Sequence, residues 1–356
     1  MAAASARPGT KPVLLLLTKL ALSVGLMVFL FHRIPAASIA DALRQADPGG
    51  LAAAAALLLV SHVLGSYQWA RLLEVAEIRI PFWKTWAYYH VGLFFNNFLP
   101  ANIGGDIARV MDASRHRADD ARPPARAHAP GDPDPDPDRS GGRVAAFSTV
   151  LMDRLVGTLA LAGLALVTTL PAVDRFHLSL VYLVLAGFFA LSLLVLWAGF
   201  HPAVLPRVER LLGRVGLSGL KPGLEELAVR LGRFRGQRRL LLVLFLVATV
   251  TQVSRIGVHV LVSRALGLHI ALPYFFLFVP LLAVIVSLPI SLNGIGVREG
   301  AGVVLFGLVG VSRAQAFSLQ FTTYLVAVAV SLVGGVVFLV RLPVRRARSR
   351  SRGRPA

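Results

Sequence analysis

The sequence contains no cysteine and is poor in charge, since only 15% of its 356 residues are Asp, Glu, Lys or Arg. The lack of cysteine excludes disulfide-stabilised folds, thiol nucleophiles and cysteine metal sites. Soluble domains typically carry about 25% charged residues, whereas 56% of this chain is hydrophobic. These shortages exclude soluble enzymes, secreted disulfide-rich scaffolds and disordered proteins, and they predict a protein that crosses a membrane several times.

Familiar catalytic motifs are also absent. The chain has no Walker loop for nucleotide phosphates, no HExxH zinc motif, no nucleophile elbow with partner residues and no dinucleotide fingerprint. We therefore expect a protein that is not an enzyme and that uses no cofactor and no metal ion.

The charges that are present are mostly of one sign, with 37 Lys and Arg against 18 Asp and Glu. In a soluble chain this excess would indicate a nucleic-acid partner. In a membrane protein, basic residues instead concentrate in loops beside the anionic inner leaflet, so we expect no nucleic acid. Arg supplies 33 of the basic residues, a usage that fits a GC-rich bacterial genome. The chain is therefore predicted to lie in the bacterial inner (plasma) membrane.

Apolar runs near or above about 18 residues predict membrane-spanning helices. The predicted fold class is an all-α polytopic membrane protein with about seven to eight transmembrane helices. The second run ends at Trp69 and Arg71, which are expected at a membrane interface. A cleaved signal peptide is an open alternative for the first run. The runs lie at residues 13–31, 51–73, 143–170, 177–200, 239–266, 271–289 and 313–341.

Polar and basic segments complete the predicted organisation. Residues 36–47 are expected to form an amphipathic helix at the membrane surface. The Pro- and Asp-rich insert lacks apolar residues to bury and is predicted to be disordered. The parts are a cytoplasmic N-terminus at 1–12, a transmembrane domain at 13–341 that includes the disordered cytoplasmic insert at 113–142 and a basic amphipathic cytoplasmic segment at 202–238, and a basic cytoplasmic tail at 342–356.

The charge pattern also constrains the topology. If residues 202–238 and the tail both lie in the cytoplasm, the chain crosses the membrane an even number of times between them. Residues 271–310 must then enter and leave by the same face. The same count predicts a second re-entrant hairpin at 85–105, entered from the cytoplasm. Two hairpins of opposite orientation indicate an inverted repeat.

The two predicted hairpins carry similar motifs at their breaks, LPANIGGDIAR at 99–109 and LPISLNGIGVRE at 288–299. Each has Leu-Pro, then Asn and Gly, then an Arg nine residues after the Pro, with an acidic residue nearby. Paired broken helices point to a binding site near the membrane midplane, and helix N-termini beside Arg favour anions such as phosphate. Ordinary juxtamembrane loops with an interfacial Arg remain the alternative.

Two further groups place polar residues inside predicted spans. If a helix begins at Arg143, Asp153 and Arg154 lie about 15 Å along it at about 1.5 Å per residue, where a charge must face a cavity or a partner. A later start of the helix would leave them at the interface. Gln252, Arg255 and His259 share one helix face by spacing, which favours a polar cavity. His259 is expected to be a packing residue because no second ligand stands at metal-binding spacing.

The chain resembles the lysylphosphatidylglycerol synthase transmembrane-domain family of flippase-like membrane proteins. The resemblance rests on FNNFLPANIGGDIARV (95–110), MDRLVG (152–157) and SLPISLNGIGVREGAGVVLFGLVGV (287–311). It implies a helical bundle with two re-entrant hairpins around a cavity that admits a lipid headgroup. Larger members add an aminoacyl-transfer domain, but only 15 residues follow Arg341 here, so we expect no synthase activity.

The resemblance, together with the cavity stripe, gives the candidate headgroup-binding residues. These are Asn97, Pro100, Gly104, Gly105, Asp106, Arg109, Asp153, Arg154, Arg255, Asn293, Gly294, Gly296, Arg298 and Glu299. The leading hypothesis is a lipid translocator that moves an anionic or glycosylated phospholipid headgroup through the cavity. The alternative is a membrane subunit that binds lipid or lipid-linked sugar for a separately encoded transferase. Membrane phospholipids are the expected partners, and a homo-oligomer stays open.

Overall fold

The computed structural model of the chain describes residues 36–98, 104–120, 138–170, 179–201, 204–214, 221–287 and 294–352, preceded by residues 21, 24–26, 28–30 and 32. Within these ranges the secondary structure is helical and contains no β-strand, which confirms the predicted all-α class. The helices are α1 (Ala36–Arg44), α2 (Pro48–Val75), α3 (Phe82–Phe98), α4 (Gly104–Asp120), α5 (Asp138–Thr169), α6 (Ser179–Phe200), α7 (Leu205–Arg214), α8 (Lys221–Arg235), α9 (Arg238–Ala265), α10 (Leu272–Ser287), α11 (Val297–Gly307) and α12 (Arg313–Arg352).

Five helices in the described part of the chain are long and apolar enough to cross a membrane. Each lies where the sequence predicts a span, so the polytopic membrane architecture is confirmed. Most of the predicted first span at 13–31 lies outside the described residues. The five candidate spans are Pro48–Val75, Gly141–Thr168, Tyr182–Phe200, Arg238–Ala265 and Arg313–Arg341.

The two 28-residue helices α2 and α9 pack side by side in antiparallel orientation. At the start of α2, the Asp47 side chain caps the helix by accepting from the Gly49 and Gly50 N–H groups. The Asp47 N–H donates to the Ala265 carbonyl at the end of α9, at 2.8 Å. At the other end, Glu77, just beyond α2, pairs at 2.8 Å with Arg233, just before α9.

The turns that follow α2 and α9 share the same backbone conformation and hydrogen-bond pattern. Glu77 follows α2 with φ 61°, and Gly267 follows α9 with φ 69°. In each turn an N–H returns to a carbonyl five residues earlier, from Ile78 to Leu73 and from Leu268 to Ser263, both at 2.9 Å. A helical hairpin and a long helix follow each turn. The chain therefore contains two copies of one unit, with an offset of 190 residues between the two turns.

Two pairs of shorter helices, α3 with α4 and α10 with α11, form re-entrant hairpins. Helices α10 and α11 have 16 and 11 residues, about 24 and 16 Å at ~1.5 Å per residue, less than the ~30 Å of a hydrocarbon core. One cavity is lined both by Lys84 early in α3 and by His116 late in α4. A second is lined by Tyr274 early in α10 and by Val309 beyond α11. Each hairpin therefore begins and ends at one face. Because α3 follows α2, and α10 follows the antiparallel α9, the faces are opposite and the predicted inverted repeat is confirmed.

Glycines allow the hairpins to pack closely. A Cβ on Gly105 would lie 2.1 Å from the Gly92 carbonyl oxygen, so α3 and α4 approach at a distance that only glycine permits. A Cβ on Gly334 of α12 would lie 1.9 Å from the carbonyl oxygen of His90 in α3. Small residues of this kind let helix backbones approach within a membrane. They fix the first hairpin against the long helix of the other repeat.

The boundaries of the predicted disordered insert at 113–142 need correction. Helix α4 continues to Asp120, and α5 begins at Asp138. An existing helix extends without a new nucleation step, so residues 113–120 remain helical although their sequence is polar. Residues 121–137 lie outside the described residues.

Helix α8 of the 202–238 segment and the end of the apolar part of α12 lie at one face of the protein. The ion pair between Arg233 and Glu77 joins the 202–238 segment to the end of α2, and the hydrogen bond from Arg233 holds the pKa of Glu77 below its usual range. Arg341 of α12 pairs with Asp112 of α4 at 3.6 Å and lies over the Tyr88 ring at 4.4 Å. The helix then continues into the basic tail as far as Arg352.

Candidate functional site

Helix α5 carries Asp153 and Arg154 deep into the bundle. Its candidate span begins at Gly141, so Asp153 lies about 18 Å along the axis at ~1.5 Å per residue. Because α5 begins at Asp138, the expectation of a helix that starts later is wrong; the depth of the pair in the membrane stays a prediction. The charges at this depth are compensated by side chains of α2 and α4.

Arg109 of α4 is the most enclosed of these charges. Its Nη2 donates to Asp153 Oδ2 at 2.8 Å, and the two side chains are only 6% and 11% exposed. The guanidinium carbon lies 4.3 Å from the ring centre of Trp69 and 4.9 Å from that of Tyr89. The Gln68 amide donates to Asp153 Oδ1 at 2.8 Å. Arg109 is therefore held between a carboxylate and two aromatic rings.

Arg154 and Asp106 form a more open pair beside it. Nε and Nη2 of Arg154 each donate to a different oxygen of Asp106 at 3.0 Å. The same carboxylate lies 3.9 Å from Arg109 Nη1. Arg154 is 52% exposed and Asp106 is 22% exposed. The cluster thus contains two Arg and two Asp, and Arg154 is its accessible cation.

At the first break, between α3 and α4, two glycines and a side-chain amide form the start of α4. Gly104 and Gly105 begin α4, and the Gly105 N–H donates to Asn96 Oδ1 at 2.9 Å. This bond satisfies one of the free N–H groups at the start of the helix. The predicted Asn97 lies in the last turn of α3 and is half-buried. Pro100 lies outside the described residues.

The second break is built from Gly294 and Gly296, with φ of 74° and 82°. These backbone conformations favour glycine. The carboxylate of Glu299, which is almost fully buried, accepts from the Gly296 N–H at 2.7 Å. Arg298 lies over the Tyr324 ring at 4.7 Å. Glu299 therefore holds the helix start, while Arg298 faces α12; Asn293 lies outside the described residues.

A polar stripe on α9 connects the two repeats. Gln252 donates to the Gly157 carbonyl of α5 at 3.2 Å, and Arg255 Nη1 lies 3.5 Å from Gln252 Oε1. His259 Nδ1 donates to the Arg255 carbonyl at 3.0 Å. Arg255 is exposed on its helix, and it lies in electrostatic range of Tyr89 in the first repeat.

Within the second repeat, the stripe approaches the second hairpin, because His259 lies in electrostatic range of Arg298. The structure therefore brings together Asp106, Arg109, Asp153 and Arg154 directly. Arg298 lies near the same face of α9, beside His259.

Three residues of the cluster are not among the sequence-predicted site residues. Gln68 and Tyr89 contact Asp153 and Arg109, respectively. Trp69 is expected from the sequence at a membrane interface, but it is fully buried and donates from Nε1 to Thr149 Oγ1 at 3.1 Å. Apolar periodicity does not distinguish a membrane interface from a helix–helix interface. The amide of Gln68 within the apolar run of α2 is the available signal.

No cluster of three or more His, Cys, Asp or Glu suited to a metal ion occurs among the residues that the structure describes. The group of Asp106, Arg109, Asp153 and Arg154 instead offers guanidinium donors within and beside the candidate span of α5, and such donors suit phosphate or carboxylate groups. In the comparison with protein families, the family model described as lysylphosphatidylglycerol synthase TM region matches residues 16–335. Comparison with curated protein sequences gives no match.

Proposed function

The chain belongs to the lysylphosphatidylglycerol synthase TM region family, and from this membership we propose that it is a lipid translocator. Its cargo is a phospholipid with an anionic or glycosylated headgroup. The headgroup passes through a polar path in the bundle, while the acyl chains remain in the bilayer. The protein makes and breaks no covalent bond in this role.

The observation that carries the proposal is the group of charged side chains at membrane depth. A charged side chain at the bilayer centre costs about 2.5–3.5 kcal/mol on insertion scales. Arg109 and Asp153 compensate each other in a buried pair. Arg154 and Arg255, in contrast, are exposed. Exposed guanidinium groups at this depth require water or an anionic headgroup, and a polar path supplies both.

Arg154 meets the phosphate of the headgroup. Its Nε and Nη2 present two parallel donors, now occupied by Asp106, and this geometry binds carboxylate and phosphate alike. When a phosphate replaces Asp106, the released carboxylate turns toward Arg109 Nη1, 3.9 Å away. The exchange keeps each charge of the cluster compensated.

Arg109 does not bind the headgroup in this proposal, whereas residues of the second repeat do. Arg109 is held by Asp153 and two rings, so it positions Asp106 rather than binding the lipid itself. Beyond the cluster, the headgroup follows Arg255 and His259 along α9 toward Arg298. The two hairpins then serve the two faces of the membrane in turn, as inverted repeats do in other transporters.

The orientation follows from the shared face of the basic segments. Helix α8 and Arg341 of α12, which precedes the basic tail, lie at the same face, and basic segments favour the cytoplasm. We therefore place both termini in the cytoplasm of a bacterial inner membrane, with 13–31 as the first span. The first hairpin then opens to the cytoplasm and the second to the outside.

Lipid flip in proteoliposomes tests the proposal. Vesicles carry headgroup-labelled phosphatidylglycerol, and a membrane-impermeant quencher is added outside. With the wild-type protein, quenching should proceed well beyond the outer-leaflet half. Arg154→Gln should slow it, whereas Arg264→Gln, which removes an exposed Arg from the last turn of α9, should not. Both variants are first shown to be folded by size exclusion and thermal unfolding.

An absence of lipid flip would favour the alternative function, a membrane subunit that binds lipid for a separate transferase. If quenching stops at the outer leaflet for anionic, zwitterionic and glycosylated lipids, and no ion gradient restores it, the chain is not a translocator. The cluster would then hold a lipid or lipid-linked sugar for a separate transferase. Co-purification of that enzyme would be lost in Arg154→Gln.

A further inference from the structure

Two cavities lie at equivalent places in the two repeats. The first, here the α3 cavity, has a volume of about 710 Å³ and is lined by Glu74, Arg79, Ile80, Pro81, Lys84 and His116. The second, here the α10 cavity, has a volume of about 400 Å³ and includes Gly267, Leu268, His269, Ile270, Ala271 and Tyr274. Because α2 and α9 are antiparallel, the cavities open at opposite faces of the protein.

The equivalent positions differ in charge. With the offset of 190 residues, Arg79 corresponds to His269, and Lys84 corresponds to Tyr274. Arg79 is exposed and Lys84 is half-buried, and neither pairs with a carboxylate of the described chain. Glu74 is the acidic residue in the lining, and it is engaged by Arg71 at 2.5 Å. The α3 cavity therefore holds two uncompensated cations that the α10 cavity lacks.

Two exposed aromatic residues indicate the level of the α3 cavity relative to the membrane. Phe82 and Trp83 begin α3 beside the lining and are 46% and 66% exposed. Lys84 Nζ lies 5.4 Å from the centre of the Trp83 ring. Exposed Trp beside Lys and Arg is typical of the headgroup level of a membrane. The cations of this cavity thus lie at the depth of lipid phosphates.

We propose that the α3 cavity binds the phosphate of an anionic phospholipid from the leaflet at its own face, and that the α10 cavity does not. Lys84 from the first turn of α3 and Arg79 from the loop before it hold the phosphate from two sides, as basic pockets between transmembrane helices do. The site is separate from the Arg154 cluster and binds lipid whether or not the lipid is moved. A soluble phosphate offers the same chemistry, but the exposed aromatic pair favours the lipid.

Native mass spectrometry of the detergent-solubilised full chain tests this site. The affinity for the first bound lipid is measured with phosphatidylglycerol and with phosphatidylcholine of the same acyl chains. The wild type should bind phosphatidylglycerol on the order of tenfold more tightly. Arg79→Gln/Lys84→Gln should abolish this preference. Arg207→Gln/Arg210→Gln removes two charges from exposed positions of α7 outside the cavity, and should leave the preference within about twofold.

Three outcomes would overturn the proposal. The wild type could bind both lipids equally, or the α7 control could lose as much affinity as the cavity variant, which would indicate general charge attraction. Inorganic phosphate at millimolar concentration could displace the lipid, which would make soluble phosphate the ligand. Because flip is not measured, failure here leaves the translocator proposal intact.

A gain of binding provides a second readout that does not depend on removing side chains. His269→Arg places at the α10 cavity the cation that the first repeat has at position 79. It should add a second high-affinity phosphatidylglycerol to the bound count. If the count stays at one while Arg79→Gln/Lys84→Gln also changes nothing, the cavities do not select lipid by charge.

Discussion

Asp106 lies between two arginines, accepting two hydrogen bonds of 3.0 Å from Arg154 while lying 3.9 Å from Arg109 Nη1. The two contacts are unequal because Arg109 is already engaged by Asp153 at 2.8 Å. Asp106 therefore has a second cation within reach if its first is taken. This gives the cluster two arrangements of similar charge balance, one closed by protein and one open to an anion.

The buried pair should matter for stability more than the open pair. Asp153→Asn leaves the enclosed Arg109 without its charge partner, and removing one member of a buried pair costs about 3–5 kcal/mol. Asp106→Asn breaks a part-exposed pair and should cost about 1 kcal/mol or less. Denaturation in detergent micelles measures both.

A double variant separates the charge from the packing. Arg109→Gln/Asp153→Asn removes the uncompensated cation, so it should be less destabilised than the sum of its single variants. Equal losses in Asp153→Asn and Asp106→Asn, or additive losses in the double variant, would contradict the buried pair.

The contact between α12 and α3 depends on Gly334. Gly334→Ala would place a methyl group 1.9 Å from the His90 carbonyl oxygen, so the helices must separate, at a cost of about 1–3 kcal/mol. Gly187→Ala on the exposed face of α6 meets nothing within 4 Å and should be neutral or slightly stabilising. A thermal unfolding comparison decides, and equal midpoints for both variants would rule out this close approach.

The inverted repeat predicts opposite accessibility for equivalent loops. Because the sequence contains no cysteine, single cysteines can be introduced without background labelling. His269→Cys should react with an impermeant maleimide from outside the cell. Arg79→Cys should react only after the membrane is permeabilised. Labelling of both from one side would contradict the inverted repeat, and an exchange of sides would contradict the cytoplasmic assignment of the basic segments.

Much of the fold can be predicted from the sequence because span length and charge asymmetry decide it. The five candidate spans lie where apolar runs lie. Counting the crossings between segments assigned to the cytoplasm predicts one hairpin in each half of the chain. Helix geometry predicts that Asp153 lies well inside its helix if the helix begins near Arg143. These features depend on local composition and on the membrane, not on which helices pack together.

The contacts within the cluster cannot be predicted in the same way. Arg109 and Asp153 are 44 residues apart, and their pairing depends on how α4 packs against α5. The burial of Trp69 follows from the packing of α2, which periodicity does not encode. The role of Glu299 at the Gly296 N–H follows from the local turn. From the sequence alone, the neighbouring Arg298 suggests that the carboxylate of Glu299 balances the charge of that Arg.

The central claim is that a lipid headgroup passes the charged residues at membrane depth, and photo-crosslinking tests it most directly. A phospholipid with a diazirine on its headgroup is irradiated in proteoliposomes with the wild-type protein, and the adducts are mapped by peptide mass spectrometry. The account predicts adducts at Arg154 and along the Arg255 face of α9, reduced by an excess of unlabelled phosphatidylglycerol. Adducts confined to the loops and helix ends, with none at these positions, would contradict it.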